Sequence, residues 1–153
     1  VPLLIHQPSY SMLNRWVEEE LLDELERRGV GAIAFSPLAQ GLLSGKYLQK
    51  SLPEGSRGAR DELNVYMREA LDDPSIHDRI RRFSALAREH ELTPPQLALA
   101  LLLRRREVDC LVTGATTEAQ LVENVKASGR RLEETTVDAA DELFPPGRSL
   151  ADA

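Results

Sequence analysis

Three short stretches of this chain gather side chains with chemistry to offer. The first is His6-Gln7-Pro8-Ser9-Tyr10-Ser11. The second runs from Phe35-Ser36-Pro37-Leu38 through Gly41, Ser44 and Lys46 to Tyr47, and the third from Gly114 through Thr116, Gln120 and Glu123 to Asn124. The second has the makings of an anion site: small residues let a ligand approach the backbone, Ser36 and Ser44 supply hydroxyls, and Lys46 supplies a mobile cation. An ordinary glycine-rich turn has the same composition, and the Gly-x-x-x-x-Gly-Lys-Ser/Thr spacing of a P-loop is absent. In the third, Gly114 and the hydroxyls after it either receive a phosphate at a helix start or simply cap that helix. Acid–base and metal chemistry find less support. His6 reads as a strand-end histidine and His77 and His90 as helix-surface residues, and no His/Cys/Asp cluster has metal-ligand spacing.

Each stretch follows an apolar run, at residues 2–6 (PLLIH), 31–36 (GAIAFS) and 109–113 (DCLVT). The runs are continuous rather than alternating, the pattern of parallel strands covered on both faces. Helices are expected between and after them. One spans 15–28, with Val17, Leu21, Leu22 and Leu25 inward, Glu18, Glu19, Asp23 and Glu26 in water, and Gly29 as the stop. A second spans 74–90 on an Ile76/Ile80/Phe83/Ala87 stripe. A third starts with Thr93 as N-cap and Pro94 in the first helical position, and buries Leu97, Leu101 and Leu102. Two more cover 117–127 and 136–144. Strand, loop and helix in repetition indicate an α/β architecture on a parallel sheet. Residues 39–74 hold no clear strand and are too long for a plain connection, which marks a functional or mobile loop.

The chain has 153 residues, 42% hydrophobic and 29% charged, with 25 acidic against 19 basic side chains and a formal charge of −6. That length suits one domain with a real core. The charge disfavours nucleic acid and anionic lipid, and the basic runs Arg79-Arg81-Arg82 and Arg104-Arg105-Arg106 are flanked by acids. A single cysteine excludes an internal disulfide; Cys110, inside an apolar run, reads as a small buried hydrophobe. No apolar run is long enough to span a bilayer and the first residues lack a charged leader, so the expected compartment is the cytoplasm. Three strands cannot close a barrel, and their open edges and uncovered face lead to two expectations: the chain is part of a longer polypeptide, and alone it self-associates.

Taken in order, QPSYSMLNR, GVGAIAFSPLAQGLLSGKY, TPPQLALALLL and TGATTEAQLVENV closely resemble the last three β/α units of the aldo-keto reductases. The similarity is greatest to the branch of the bacterial glyceraldehyde-3-phosphate reductases and the potassium-channel β subunits. It reaches residue 144, and 145–153 read as a tail. The resemblance implies the C-terminal portion of a TIM-type (β/α)8 barrel that binds NADPH (or NADP+) and reduces aldehydes or ketones. By the same resemblance, Gln7 bonds the nicotinamide carboxamide and Phe35, where the family commonly has Tyr or Trp, stacks on its ring. Ser36, Pro37, Leu38, Gly41, Ser44 and Lys46 line the pyrophosphate loop, and Arg57 meets the cofactor phosphates. Gly114, Thr116, Gln120, Glu123 and Asn124 hold the adenosine 2′-phosphate and adenine. Thr116 keeps the hydroxyl of the family's usual Ser, whereas Thr117 replaces a frequent Arg and weakens the preference for NADPH over NADH. The family's catalytic Asp, Tyr, Lys and His come from earlier strands, and Tyr10, Tyr47 and Tyr66 do not match the catalytic tyrosine's motif. No catalytic residue is therefore expected within 1–153, and Tyr10, Met12 and residues 48–73 are the remaining candidates to touch substrate. The alternative is a dinucleotide-binding or regulatory module without turnover.

Overall fold

A computed structural model describes residues 1–49, 52–60 and 67–147; Tyr66 and the end of the tail lie outside the described residues. Three parallel strands, β1 (Ile5–His6), β2 (Gly31–Phe35) and β3 (Val108–Val112), form one sheet with β2 in the centre. All three runs expected as strands are strands, each with slightly different bounds. β1 is shorter than its apolar run, but the chain returns to the ladder after Gln7. The Phe35 amide donates to the Pro8 carbonyl at 2.9 Å, and the Tyr10 amide to the Phe35 carbonyl at 3.2 Å. Between β2 and β3 the register slips at Ala32/Ile33. There the Asp109 carboxylate accepts the Ala32 amide at 2.8 Å, replacing a backbone acceptor lost at the bulge. A Cβ on Gly31 would stand 2.7 Å from that carboxylate oxygen, so any larger residue there would have to displace the Asp109 side chain.

Helices α1 (Leu21–Arg27), α2 (Arg68–Asp72), α3 (Pro74–Glu89), α4 (Pro94–Leu103), α5 (Glu118–Val125) and α6 (Glu134–Leu143) complete the frame. The α3 stripe is buried as its 3.6-residue spacing requires, and Phe83 meets Phe144 edge to face at 5.5 Å between ring centroids. Thr93 caps α4 in a full capping box with Gln96, with Pro94 at the first helical position. α4 is apolar on every side and accordingly buried from Pro95 to Leu102, between β3, α3, α5 and the loop after β2. Gly29, at φ +66°, ends α1, and the Val30 amide reaches back to the Leu25 carbonyl at 2.9 Å.

Two expectations fail and a third holds in part. The sheet is not covered on both faces but on one, with the open face expected of three strands alone: Ala32 and Ala34 are buried against the helices, while Ile5, Phe35 and Val112 are exposed. Cys110 is exposed with them, so it is no core residue. The helix expected over 15–28 is broken into a 3-10 turn, Trp16–Glu18, and α1. The cause is Arg15, which turns inward and takes Glu18 with it; an amphipathic pattern that assigns every charge to water has no place for such a pair. Among the described residues, no helix is long and apolar enough to cross a membrane.

Candidate functional site

Because the strands are parallel, the loops that follow them emerge at the same edge of the sheet, with the β2 loop in the middle. Gln7 is exposed beside β1, and Phe35 ends β2 with its side chain open to solvent at 42%. Ser36 follows in a left-handed conformation, φ +56°, and the chain turns sharply through Ala39, Gln40 and Gly41, at φ +48°, +58° and +97°. Three successive non-glycine and glycine residues at positive φ are strained, and such strain persists where surrounding bonds over-determine it. Here the Ala39 amide donates to the Ser36 carbonyl and the Gly41 amide to the Leu38 carbonyl, both at 2.9 Å. Pro37 and Leu42 are buried beneath, and Leu38 is half-buried.

Ser44 closes its own loop: its hydroxyl donates to the Gly41 carbonyl at 2.7 Å and accepts the Lys46 amide at 3.4 Å. The Lys46 ammonium lies 4.9 Å from the centre of the Tyr47 ring, held against the loop by a cation–π contact. A Cβ on Gly41 would stand 3.0 Å from Lys46 Nζ, so glycine is what lets that cation lie along the backbone. Arg57, in the 3-10 turn Arg57–Ala59, joins the same loop. Its guanidinium donates to the Gln40 side-chain carbonyl, and the Gln40 amide nitrogen donates to Ser36 Oγ at 2.9 Å. One residue on, the buried Gly58 amide donates to the Tyr47 hydroxyl at 3.1 Å. The two segments, far apart in sequence, are thus fastened at two points.

The third loop is more open. Gly114 has no atom within 4 Å of where a Cβ would lie. Thr117 caps α5, its hydroxyl accepting the Gln120 amide at 3.3 Å, which realises the capping alternative for that residue. The Thr116 amide and hydroxyl both point at Gln120 Oε1, at 2.9 and 3.1 Å. Glu123 is half-buried and Asn124 is buried, at 8% exposure, on the side of α5 that meets α4; Gln96 donates to the Glu123 carbonyl at 3.4 Å.

A second polar cluster escaped the sequence reading. Arg15, 2% exposed, grips both carboxylate oxygens of Glu18 at 2.7 Å, Asp141 at 2.6 Å and the Phe144 carbonyl at 2.5 Å. Tyr10 donates its hydroxyl to Glu18 at 2.5 Å. Burial acts to raise the Glu18 carboxyl, but the bonds from Arg15 and Tyr10 outweigh it and hold Glu18 below the ordinary carboxylate range. Burial first, and then the Glu18 charge, pushes the Tyr10 phenol far above its usual value. Neither Tyr10 nor Met12 is open to substrate, since both are buried. Arg15 and Glu18 lie in one short stretch, and their spacing of three was the available signal for an inward pair. Among the described residues, no three His, Cys, Asp or Glu side chains are placed to hold a metal.

Residues 1–144 match the model of the aldo/keto reductase family. The chain is 45% identical over 130 residues to L-glyceraldehyde 3-phosphate reductase of Escherichia coli O157:H7, covering 83% of this chain and 37% of that protein. It is 36% identical over 126 residues to a probable voltage-gated potassium channel subunit beta of Arabidopsis thaliana, covering 81% and 38%. It is also 33% identical over 123 residues to the NADH-specific methylglyoxal reductase of Escherichia coli K12, covering 80% and 36%. The chain spans well under half the length of these relatives.

Proposed function

The chain belongs to the aldo/keto reductase family, and we propose that residues 1–144 are the last three β/α units of its (β/α)8 barrel and the cofactor-binding end of an oxidoreductase that reduces aldehydes or ketones. Residues 145–153 are a tail. The observation that carries this reading is the convergence at one sheet edge of an exposed aromatic face, Phe35, and a strained loop that Lys46 and Arg57 both approach. An extended dinucleotide needs a flat apolar surface for its ring, close backbone approach, and cations for its phosphates. Gly114 leaves such an approach open, Gly41 lets Lys46 lie along the loop backbone, and this arrangement suits a nicotinamide dinucleotide such as NADPH.

When bound, the nicotinamide supplies the hydride. The chain's own residues bind and orient: Phe35 presents its ring at the end of the central strand, Gln7 offers an amide beside it, and the Pro8 and Tyr10 backbone bonds fix Phe35 in place. Lys46 and Arg57 neutralise phosphate on the β2 loop, while Gly114, Thr116, Gln120, Glu123 and Asn124 receive the adenosine end. A general acid must protonate the carbonyl oxygen. Tyr10 is buried with its hydroxyl given to Glu18, and Tyr47 is buried beneath the β2 loop, so neither is offered as the donor; in keeping with the family resemblance, the donor is assigned to sequence outside 1–153. Selectivity for NADPH is modest, because Thr117 brings no cation and one relative is named for NADH.

The test is turnover of an activated aromatic aldehyde by the full-length protein, followed through NADPH absorbance. Turnover is expected, with Phe35→Ala raising the KM for cofactor, and none is expected from residues 1–153 alone. The names of the channel-subunit relatives favour a second reading, a nucleotide-binding partner of another protein. NADPH binding without turnover on a panel of aldehydes and ketones would select it.

A further inference from the structure

We infer that Gln40 is a positioning residue that converts Ser36 and Arg57 into a matched pair of donors for a cofactor phosphate. The inference rests on the cofactor reading above. Its geometry is a bridge from Ser36, through the Gln40 amide, to Arg57. A guanidinium has donors and no acceptor, so the Gln40 carbonyl oxygen must face Arg57, and the amide nitrogen must then face Ser36. That orientation has two consequences. Ser36 Oγ accepts from Gln40 and keeps its own O–H to donate. Arg57 gives Gln40 one of its five N–H donors and keeps the rest. The bridge thus presents donors only, from two segments that are distant in sequence, and donors only is what an anion requires.

The backbone supports this assignment. Gln40 sits at φ +58°, where glycine or asparagine would be easier, and a turn that needed nothing from this side chain would be better served by either. The neighbouring Gly58–Tyr47 bond sets the 3-10 turn against the β2 loop but touches neither Ser36 nor the guanidinium. It supplies the approach of the two segments; Gln40 supplies the direction of the Arg57 side chain. An arginine on an exposed turn would otherwise sample many rotamers, and binding would have to order it.

The experiment is a double-mutant cycle in the full-length protein, with NADPH and NADH affinities read by fluorescence titration. Gln40→Met keeps the side chain's length and removes both bonds. It should weaken binding about 3- to 10-fold, the cost of ordering one long side chain, and add less than about twofold once Arg57 is already Ala. Gln40→Glu should be worse than Gln40→Met, because its carboxylate draws the Ser36 hydroxyl inward and repels phosphate. The two cofactors identify the phosphate: equal losses for NADPH and NADH mark the pyrophosphate, NADPH-selective losses the 2′-phosphate. Gln40→Met and Arg57→Ala must show the same pattern. Different patterns, full additivity, or a Gln40→Met protein that binds normally would overturn the role of Gln40 while leaving the cofactor site standing. An Arg57→Ala protein that binds both cofactors normally would remove the assignment of Arg57 to the cofactor, and the inference with it. A thermal melt of each variant separates loss of fold from loss of affinity.

Discussion

Replacing Arg15 by Met should cost this fold about 3–5 kcal/mol, the range for removing one partner of a buried ion pair. The structure supplies the reasons. Arg15 is almost wholly buried and makes four short bonds to Glu18, Asp141 and the Phe144 carbonyl. Without it Glu18 keeps the Tyr10 hydroxyl as its hydrogen-bond donor and only the more distant Arg105 charge, and a carboxylate is left in the interior beside a backbone carbonyl that has lost its donor. Methionine fills much of the same volume, so the loss is electrostatic rather than a cavity. Against a total stability of about 5–15 kcal/mol, this is a large fraction. The pH dependence is the sharper test. Glu18 is held below its ordinary range in the wild type, so its stabilising contribution is present above the unfolded value of about 4.3 and is lost as pH falls through the lower, folded value. In Arg15→Met the sign reverses: burial without the guanidinium raises Glu18, which protonates on mild acidification and relieves the unpaired charge. The variant's deficit, measured by urea unfolding with circular dichroism, should therefore be greatest at neutral pH and shrink toward about pH 4. Adding Glu18→Met should restore much of the loss at neutral pH. A deficit below about 1 kcal/mol, as for an exposed ion pair, or one that grows on acidification, would refute the reasoning.

Two further outcomes are expected. Thr117→Arg should strengthen NADPH binding about 10-fold or more with little change for NADH, the worth of one charge-assisted bond to the 2′-phosphate; parallel titrations check it, and equal gains would place the new cation elsewhere. Residues 1–153 expressed alone should self-associate through the sheet face that exposes Ile5, Phe35 and Val112, and a monodisperse monomer with a sharp melt in analytical ultracentrifugation and calorimetry would count against that face being sticky.

Local rules were enough for the strands, for α3 and α4, and for the caps at Thr93 and Gly29. Apolar runs, 3.6-residue stripes, a Thr-Pro start and a left-handed glycine stop each act within a few residues of themselves. The order of the loop motifs likewise identified the family, because it is carried by residue identity alone. Other features depend on what another part of the chain does. Whether the runs at β1 and β3 are covered on one face or two depends on where the helices pack, and Cys110 is exposed because they all pack on the other side. Arg15 and Glu18 look like surface charges until α6 brings Asp141 and the Phe144 carbonyl to them, a contact across more than a hundred residues. Ser44, expected to line the phosphate loop, also closes that loop on itself, while Gln40, which attracted no attention in the sequence, joins Ser36 to Arg57. A hydrogen bond between segments distant in sequence has no local periodicity to announce it, so only the tertiary structure decides which polar side chains hold the site together and which face out.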